Sequence, residues 1–274
     1  MKAGEEMFAD DFLFEGQKAS DYGMVIASDT GGEAVVSGGE VEITSVRPPD
    51  KDIFDFYVGR LESPIQFTFS IFKVNCEDPN DLYLTQEEES RIAKWLIGQS
   101  KVKGYGWLQF DQDGYRDVCY KVTFTHMQPI QVIGKTVGFE LTAISNCGYA
   151  FSNERHVIFQ IDSNNSKELY VHSDINTYIY PHVTFTDLPV SSEVSFHSNT
   201  EGIDINTTEF NTTAVQGTPV VMDCENDIIN GIDTPNDFNW YFPRIADGLN
   251  TFTTDNATPF TVELKYREPR RVLI

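Results

Sequence analysis

Ile65-Gln66-Phe67-Thr68-Phe69-Ser70-Ile71 decides the fold class. Four large apolar side chains alternate with small polar ones. That period of two puts all four on one face of a β-strand. The pattern recurs at Val118, Tyr120, Val122 and Phe124, and at Val137, Phe139 and Leu141. Further along it returns at Val157, Phe159 and Ile161, in the pairs Val183/Phe185 and Val194/Phe196, and at Phe260, Val262 and Leu264. Turn clusters separate these runs, such as Asp111-Gln112-Asp113-Gly114, whose Asp-Gly suits a tight hairpin. Many short strands with this punctuation predict a mainly β chain of antiparallel sandwich or barrel architecture.

One segment breaks the rhythm. Residues 85–97 read as a single amphipathic helix: Thr85 and Glu88 form a capping box, and Glu87, Glu88 and Glu89 suit the positive end of the helix dipole. Ile92, Trp95 and Leu96 share one face, and Gly98 is a natural stop. Trp95 could serve as a ligand platform, but its aliphatic neighbours favour core packing. Strand signals lapse around residues 146–156, and residues 196–236 turn rich in Asn, Thr, Asp and Gly. The expectation is two β domains, about 1–150 with the helix and 151–274 without one.

The chain has 274 residues, 40% of them hydrophobic, with 20 Phe and 12 Tyr, enough to build a core. Its 42 acidic residues against 20 basic ones give −22, which disfavours phosphate backbones and anionic membranes. No stretch approaches the ~20 apolar residues of a membrane-spanning helix. The start, Met1-Lys2-Ala3-Gly4-Glu5-Glu6-Met7, lacks a secretory apolar region, so synthesis in a reducing cytosol is expected. Cys76, Cys119, Cys147 and Cys224 are scattered, which predicts free thiols.

The search for chemistry returns little. No nucleophile elbow, phosphate loop, dinucleotide fingerprint or zinc-protease motif is present, and the five histidines never fall at i, i+4 on the predicted helix. No cofactor and no metal is therefore expected. Asp111 and Asp113 begin like a calcium loop, but Gly114 comes too early. Asp223-Cys224-Glu225-Asn226-Asp227 could hold a cation or a glycosidase carboxylate pair, and reads better as a solvated turn. Tyr178, Tyr180 and Trp240, with Tyr241, are candidate saccharide contacts. The Gly-flanked stretch around residues 30–50, with Val35, Val36, Val41 and Ile43, is either an ordinary hairpin or an arm reaching a neighbouring subunit.

Several short motifs, in order, resemble one family. Phe12-Leu13-Phe14-Glu15-Gly16 with Ser20-Asp21-Tyr22-Gly23 resembles the opening hairpin of siphophage distal tail (Dit-like) proteins. The helix end Trp95-Leu96, then Leu108-Gln109-Phe110-Asp111, then Phe139-Glu140-Leu141 and Tyr149-Ala150 follow that family's order, with Cys147-Gly148 where it often has Pro. Pro181-His182-Val183-Thr184-Phe185, Asp223-Cys224, Phe242-Pro243 and Gly248-Leu249-Asn250 resemble its second half. The resemblance implies an N-terminal β-sandwich or split barrel that makes a homo-hexameric ring, and a galectin-like or carbohydrate-module-like C-terminal sandwich. It further implies a non-enzymatic protein at the virion tail tip, in contact with the tail tube, the tail hub and other baseplate or receptor-binding proteins. DNA would cross the lumen without specific binding and no membrane would be entered. Six copies would carry −132, expected to be concentrated on the channel wall. A soluble carbohydrate-binding β-sandwich is the alternative.

Overall fold

The computed structural model describes residues 11–27, 35–37, 41–46, 55–74, 81–98, 104–112, 115–200 and 206–272. The chain divides into two compact units, Met1–Phe151 with Val272–Ile274, and Ser152–Arg271. It is mainly β, as the alternation predicts. No disulfide joins Cys119, Cys147 and Cys224 to one another; Cys76 lies outside the described residues.

The first unit holds β1 (Phe12–Phe14), β2 (Gln17–Lys18), β3 (Met24–Ile26), β4 (Val35–Ser37), β5 (Val41–Val46), β6 (Asp55–Glu62) and β7 (Gln66–Lys73). Helix α1 (Gln86–Leu96), then β8 (Gly106–Phe110), β9 (Val118–Val132) and β10 (Lys135–Ser145) follow. The main sheet runs β2-β1-β8-β9-β10-β7-β3, with β4 also on β7. β5 and β6 pair as a separate two-stranded ribbon.

This sheet curls. In sheet order β1 lies four steps from β7, about 19 Å if flat. Yet the rings of Phe12 and Phe69 stand 5.3 Å apart, and Phe14 meets Phe124 on β9 at 5.0 Å. The strands wrap one aromatic core, which is the split-barrel form. Ile65, Phe67, Phe69 and Ile71 all point into it and are buried.

Helix α1 lies against this core through Ile92, Trp95 and Leu96. Its capping box is present: Thr85 Oγ1 accepts from the Glu88 N–H, and Glu88 accepts from the Thr85 N–H. Burial works to raise the Glu88 pKa, but the Thr85 N–H and Lys73 outweigh it and hold the carboxyl below its ordinary value. The Lys73 ammonium bonds Glu88, Asp81 and the Tyr83 carbonyl; burial works to lower its pKa, but Glu88 and Asp81 outweigh it and raise it. Trp95 is core. It stacks on Tyr22 at 4.4 Å, and its Nε1–H donates to the Phe14 carbonyl at 3.1 Å.

One strand reading is corrected. Val137 does not share the inward face of Phe139 and Leu141, because a bulge between Thr136 and Gly138 removes it from the ladder. Gly138 fills the kink, where a Cβ would come within 2.1 Å of the Ile71 carbonyl.

The short strand β11 (Ala150–Ser152) precedes the second unit. There β12 (Arg155–Ile161), β13 (Lys167–Val171), β14 (His182–Thr186), β15 (Glu193–Thr200), β16 (Asn206–Asn211), β17 (Val220–Asp223), β18 (Ile228–Asn230), β19 (Gly248–Thr253) and β20 (Phe260–Tyr266) form two sheets. Their orders are β12-β20-β14-β17-β18 and β13-β19-β15-β16. Phe185 on the first sheet meets Phe196 and Phe210 on the second at 5.3 and 5.1 Å, and Phe159 stacks on Phe252 at 5.6 Å. Aromatic contacts from sheet to sheet make this unit a β-sandwich.

Candidate functional site

The expected inter-subunit segment has two parts. Val35 and Val36 lie on β4, paired antiparallel with β7 through Val35↔Thr68 and Val36↔Phe67, and Val36 packs against the core. Val41 and Ile43 lie on β5, whose described pairing is with β6. Gly31, Gly32, Gly38 and Gly39 of the predicted loop lie outside the described residues.

The candidate saccharide contacts fall in the second unit. Tyr178 lies under the Arg244 guanidinium at 4.1 Å, a cation–π contact. Tyr180 is exposed on the same segment, one residue beyond the bridge Ile179↔Ile245. Trp240 is 56% exposed, stands at φ +64° and packs on Phe238 at 5.6 Å. Among the described residues no ring contact joins Trp240 to either tyrosine. An open groove of about 170 Å³ does lie beside the Phe238 ring, lined by Glu193, Glu209, Asn211, Asn236 and Asn239. The composition signal for it is only the Asn-rich stretch 196–236, which does not say that these amides converge.

The acidic runs close turns. The Asp223 carboxylate accepts from the Asn226 N–H at 3.2 Å and from Asn226 Nδ2 at 2.7 Å, across the four-residue loop joining β17 to β18. Cys224 is buried within that turn, which pushes its thiol pKa up. Asp111 bonds Arg116 at 2.8 Å and Lys18 at 3.2 Å, and these partners hold its carboxyl below the ordinary value. Asp113 and Gly114 lie outside the described residues. Among the described residues no three His, Cys, Asp or Glu side chains gather as a cation site requires.

Two arrangements escape sequence reading. His197 contacts Thr207 at 3.0 Å and Asp255 at 3.1 Å, in the order nucleophile, base, orienter. Asp255 is 85% exposed, so the chain of contacts lacks the desolvated setting such chemistry uses. Asn250 is fully buried and fully bonded. Its Oδ1 accepts from Thr200 and the Ala246 N–H, and its Nδ2 donates to the Ala246 and Gly248 carbonyls. It sits in the Gly248-Leu249-Asn250 motif, so that motif marks a structural clasp.

The chain matches family models described as a phage tail protein N-terminal domain over residues 7–147 and a phage tail C-terminal domain over residues 149–266. It belongs to this phage tail protein family. No curated protein sequence matches it significantly. Solved phage tail structures share its fold. The Dit protein of phage SPP1, described as a paradigm of the hub adsorption apparatus in phages infecting Gram-positive hosts, is 9% identical. It aligns with TM-score 0.58 over 95% of this chain and 99% of its own. Chains of the phage p2 baseplate in its activated conformation align at 0.60 with strontium and 0.56 with calcium. Each is 10% identical, covering 96% and 98% of this phage tail protein and 99% and 100% of the baseplate chain.

Proposed function

We propose that this phage tail protein is a distal tail protein. Six copies close a ring at the tail tip that joins the tail tube to the hub and baseplate, and DNA crosses the lumen unbound. The observation that carries this reading is the Dit-like fold over almost the whole of both chains, within a phage tail family. The reading needs no catalytic residue. Residues up to about 150 form the ring, and those from 151 to 274 face outward toward other baseplate or receptor-binding proteins. Within the ring, Val41 and Ile43 on the β5–β6 ribbon extend toward a neighbour, while Val35 and Val36 anchor the segment on β7. The protein is made in the host cytoplasm and ends at the virion tail tip.

The test is negative-stain imaging and native mass measurement of the full chain, alone and with its tube partner. Sixfold rings are expected; a strict monomer at high concentration with the tube protein present would overturn the reading. The excess negative charge is placed on the channel wall, and a neutral or basic wall in a ring reconstruction would refute that placement.

Trp240, exposed near a groove lined by three amides and three carboxylates, favours a second reading in which the outward unit holds saccharide. A glycan array on the wild type and on Trp240→Ala separates the two. Binding lost in the variant supports it, and no binding by either removes it.

A further inference from the structure

The hairpin of β9 and β10 outruns its neighbours in the sheet: β10 pairs with β7 no further than Gly138, which lies opposite Ile130 on β9. β8 pairs with β9 no further than Val122, and every β9 residue from Thr125 to Val132 is exposed or half-buried, on both faces. At the tip, Ile133-Gly134 makes a two-residue turn between Val132 and Lys135, with both residues at positive φ, +52° and +72°. This turn type favours Asn-Gly or Asp-Gly, because a β-branched residue there crowds its own backbone. Ile133 nevertheless occupies it and is 93% exposed, beside Val132 at 47%. Neither backbone preference nor solvation favours an isoleucine here.

The charge pattern names what the tip meets. Residues 118–139 contain two lysines and no acid. The chain as a whole carries −22. Two copies therefore repel over most of their surface, and this acid-free stretch is where one copy can meet the acidic surface of another.

We propose that the tip of the β9–β10 hairpin, Gln131 to Lys135, is an arm that docks on a second copy of this chain, with Ile133 seated in the contact. The proposal rests on the ring reading and adds the element that makes the contact. A contact between an arm and a different surface is heterologous, the kind that closes rings.

The test is sedimentation velocity on the full-length chain and on Ile133→Asn and Ile133→Gly. Both variants suit a positive φ and remove the apolar side chain. The expected result is assembly of the wild type, a tenfold or greater rise in the concentration at which each variant assembles, and melting temperatures no lower than wild type. Assembly of the wild type should also weaken as salt is raised. If the wild type assembles and both variants assemble equally well, the arm proposal fails and the ring reading stands. A wild type that stays monomeric at every concentration, with the tube protein present as well as without it, overturns both. If Ile133→Asn melts lower than the wild type, Ile133 serves its own subunit and the arm proposal fails.

Discussion

Two turns of the first unit share one backbone conformation and differ in what holds them. Glu15-Gly16 joins β1 to β2, and Ile133-Gly134 joins β9 to β10; all four residues have φ between +52° and +75°. Glu15 is tied down: its N–H donates to the Trp107 carbonyl at 3.0 Å, and its carboxylate accepts from the Trp107 N–H at 2.7 Å. Its neighbour Phe14 lends its carbonyl to Trp95. Ile133 projects into solvent. A positive φ on a non-glycine residue is ordinary where contacts over-determine it, and points outward to a function where they do not.

The sharpest way to break the comparison is to free the first turn. Trp95→Ala removes the indole that bonds Phe14 and stacks between Tyr22 and Phe12. A loss of about 3–5 kcal/mol is expected for such a buried aromatic. Denaturant unfolding followed by circular dichroism should shift the first unit's transition and leave the second unit's in place.

A smaller loosening comes from the turn itself. Glu15→Ala leaves the Trp107 N–H without its carboxylate acceptor, at a cost of about 1–2 kcal/mol. Gly106→Ala should cost about 1–3 kcal/mol by overpacking, because a Cβ there would come within 2.5 Å of the Phe14 ring and 2.8 Å of the Glu15 carboxylate. Both are read as shifts in the denaturant midpoint at an unchanged slope.

The anchor also responds to pH through α1, the helix that carries Trp95. Glu88 has a lowered pKa when folded, so its bonds add stability above the ordinary carboxylate value of 4.5 and lose it as pH falls through the folded pKa. Glu88→Gln should cost roughly 1 kcal/mol at pH 7, in the range of helix-capping losses. The difference from wild type should shrink as pH falls from the ordinary value of 4.5 through the lowered folded pKa. A pH-independent difference in melting temperature would show that Glu88 acts only by packing.

How far the sequence exposed this contrast follows from the residues at each turn. Glu15-Gly16 ends the apolar run Phe12-Leu13-Phe14 with a glycine, and the family resemblance already treats it as a hairpin. Ile133-Gly134 lacks the Asn-Gly or Asp-Gly pair that marks such a turn, and its isoleucine is a strand former. The helix was legible because cap, charge and apolar face all agreed. Val137 misled because a bulge shifts the period by one, a change that alternation cannot register. Trp240 and the tyrosines were legible as aromatics, but their separate placement depends on long-range pairing, as does the convergence of Asn211, Asn236 and Asn239.

The gentlest change sharpens the comparison most. Ile133→Asn keeps the turn and replaces a crowded β-branched residue with one that tolerates positive φ. The isolated chain should gain up to about 1 kcal/mol, seen as a slightly higher melting temperature at concentrations below assembly. The same substitution should weaken assembly. A variant that stabilises the monomer and impairs its self-association separates strain kept for a contact from strain without one. If Ile133→Asn instead destabilises the monomer, the isoleucine is serving its own subunit and the two turns are alike.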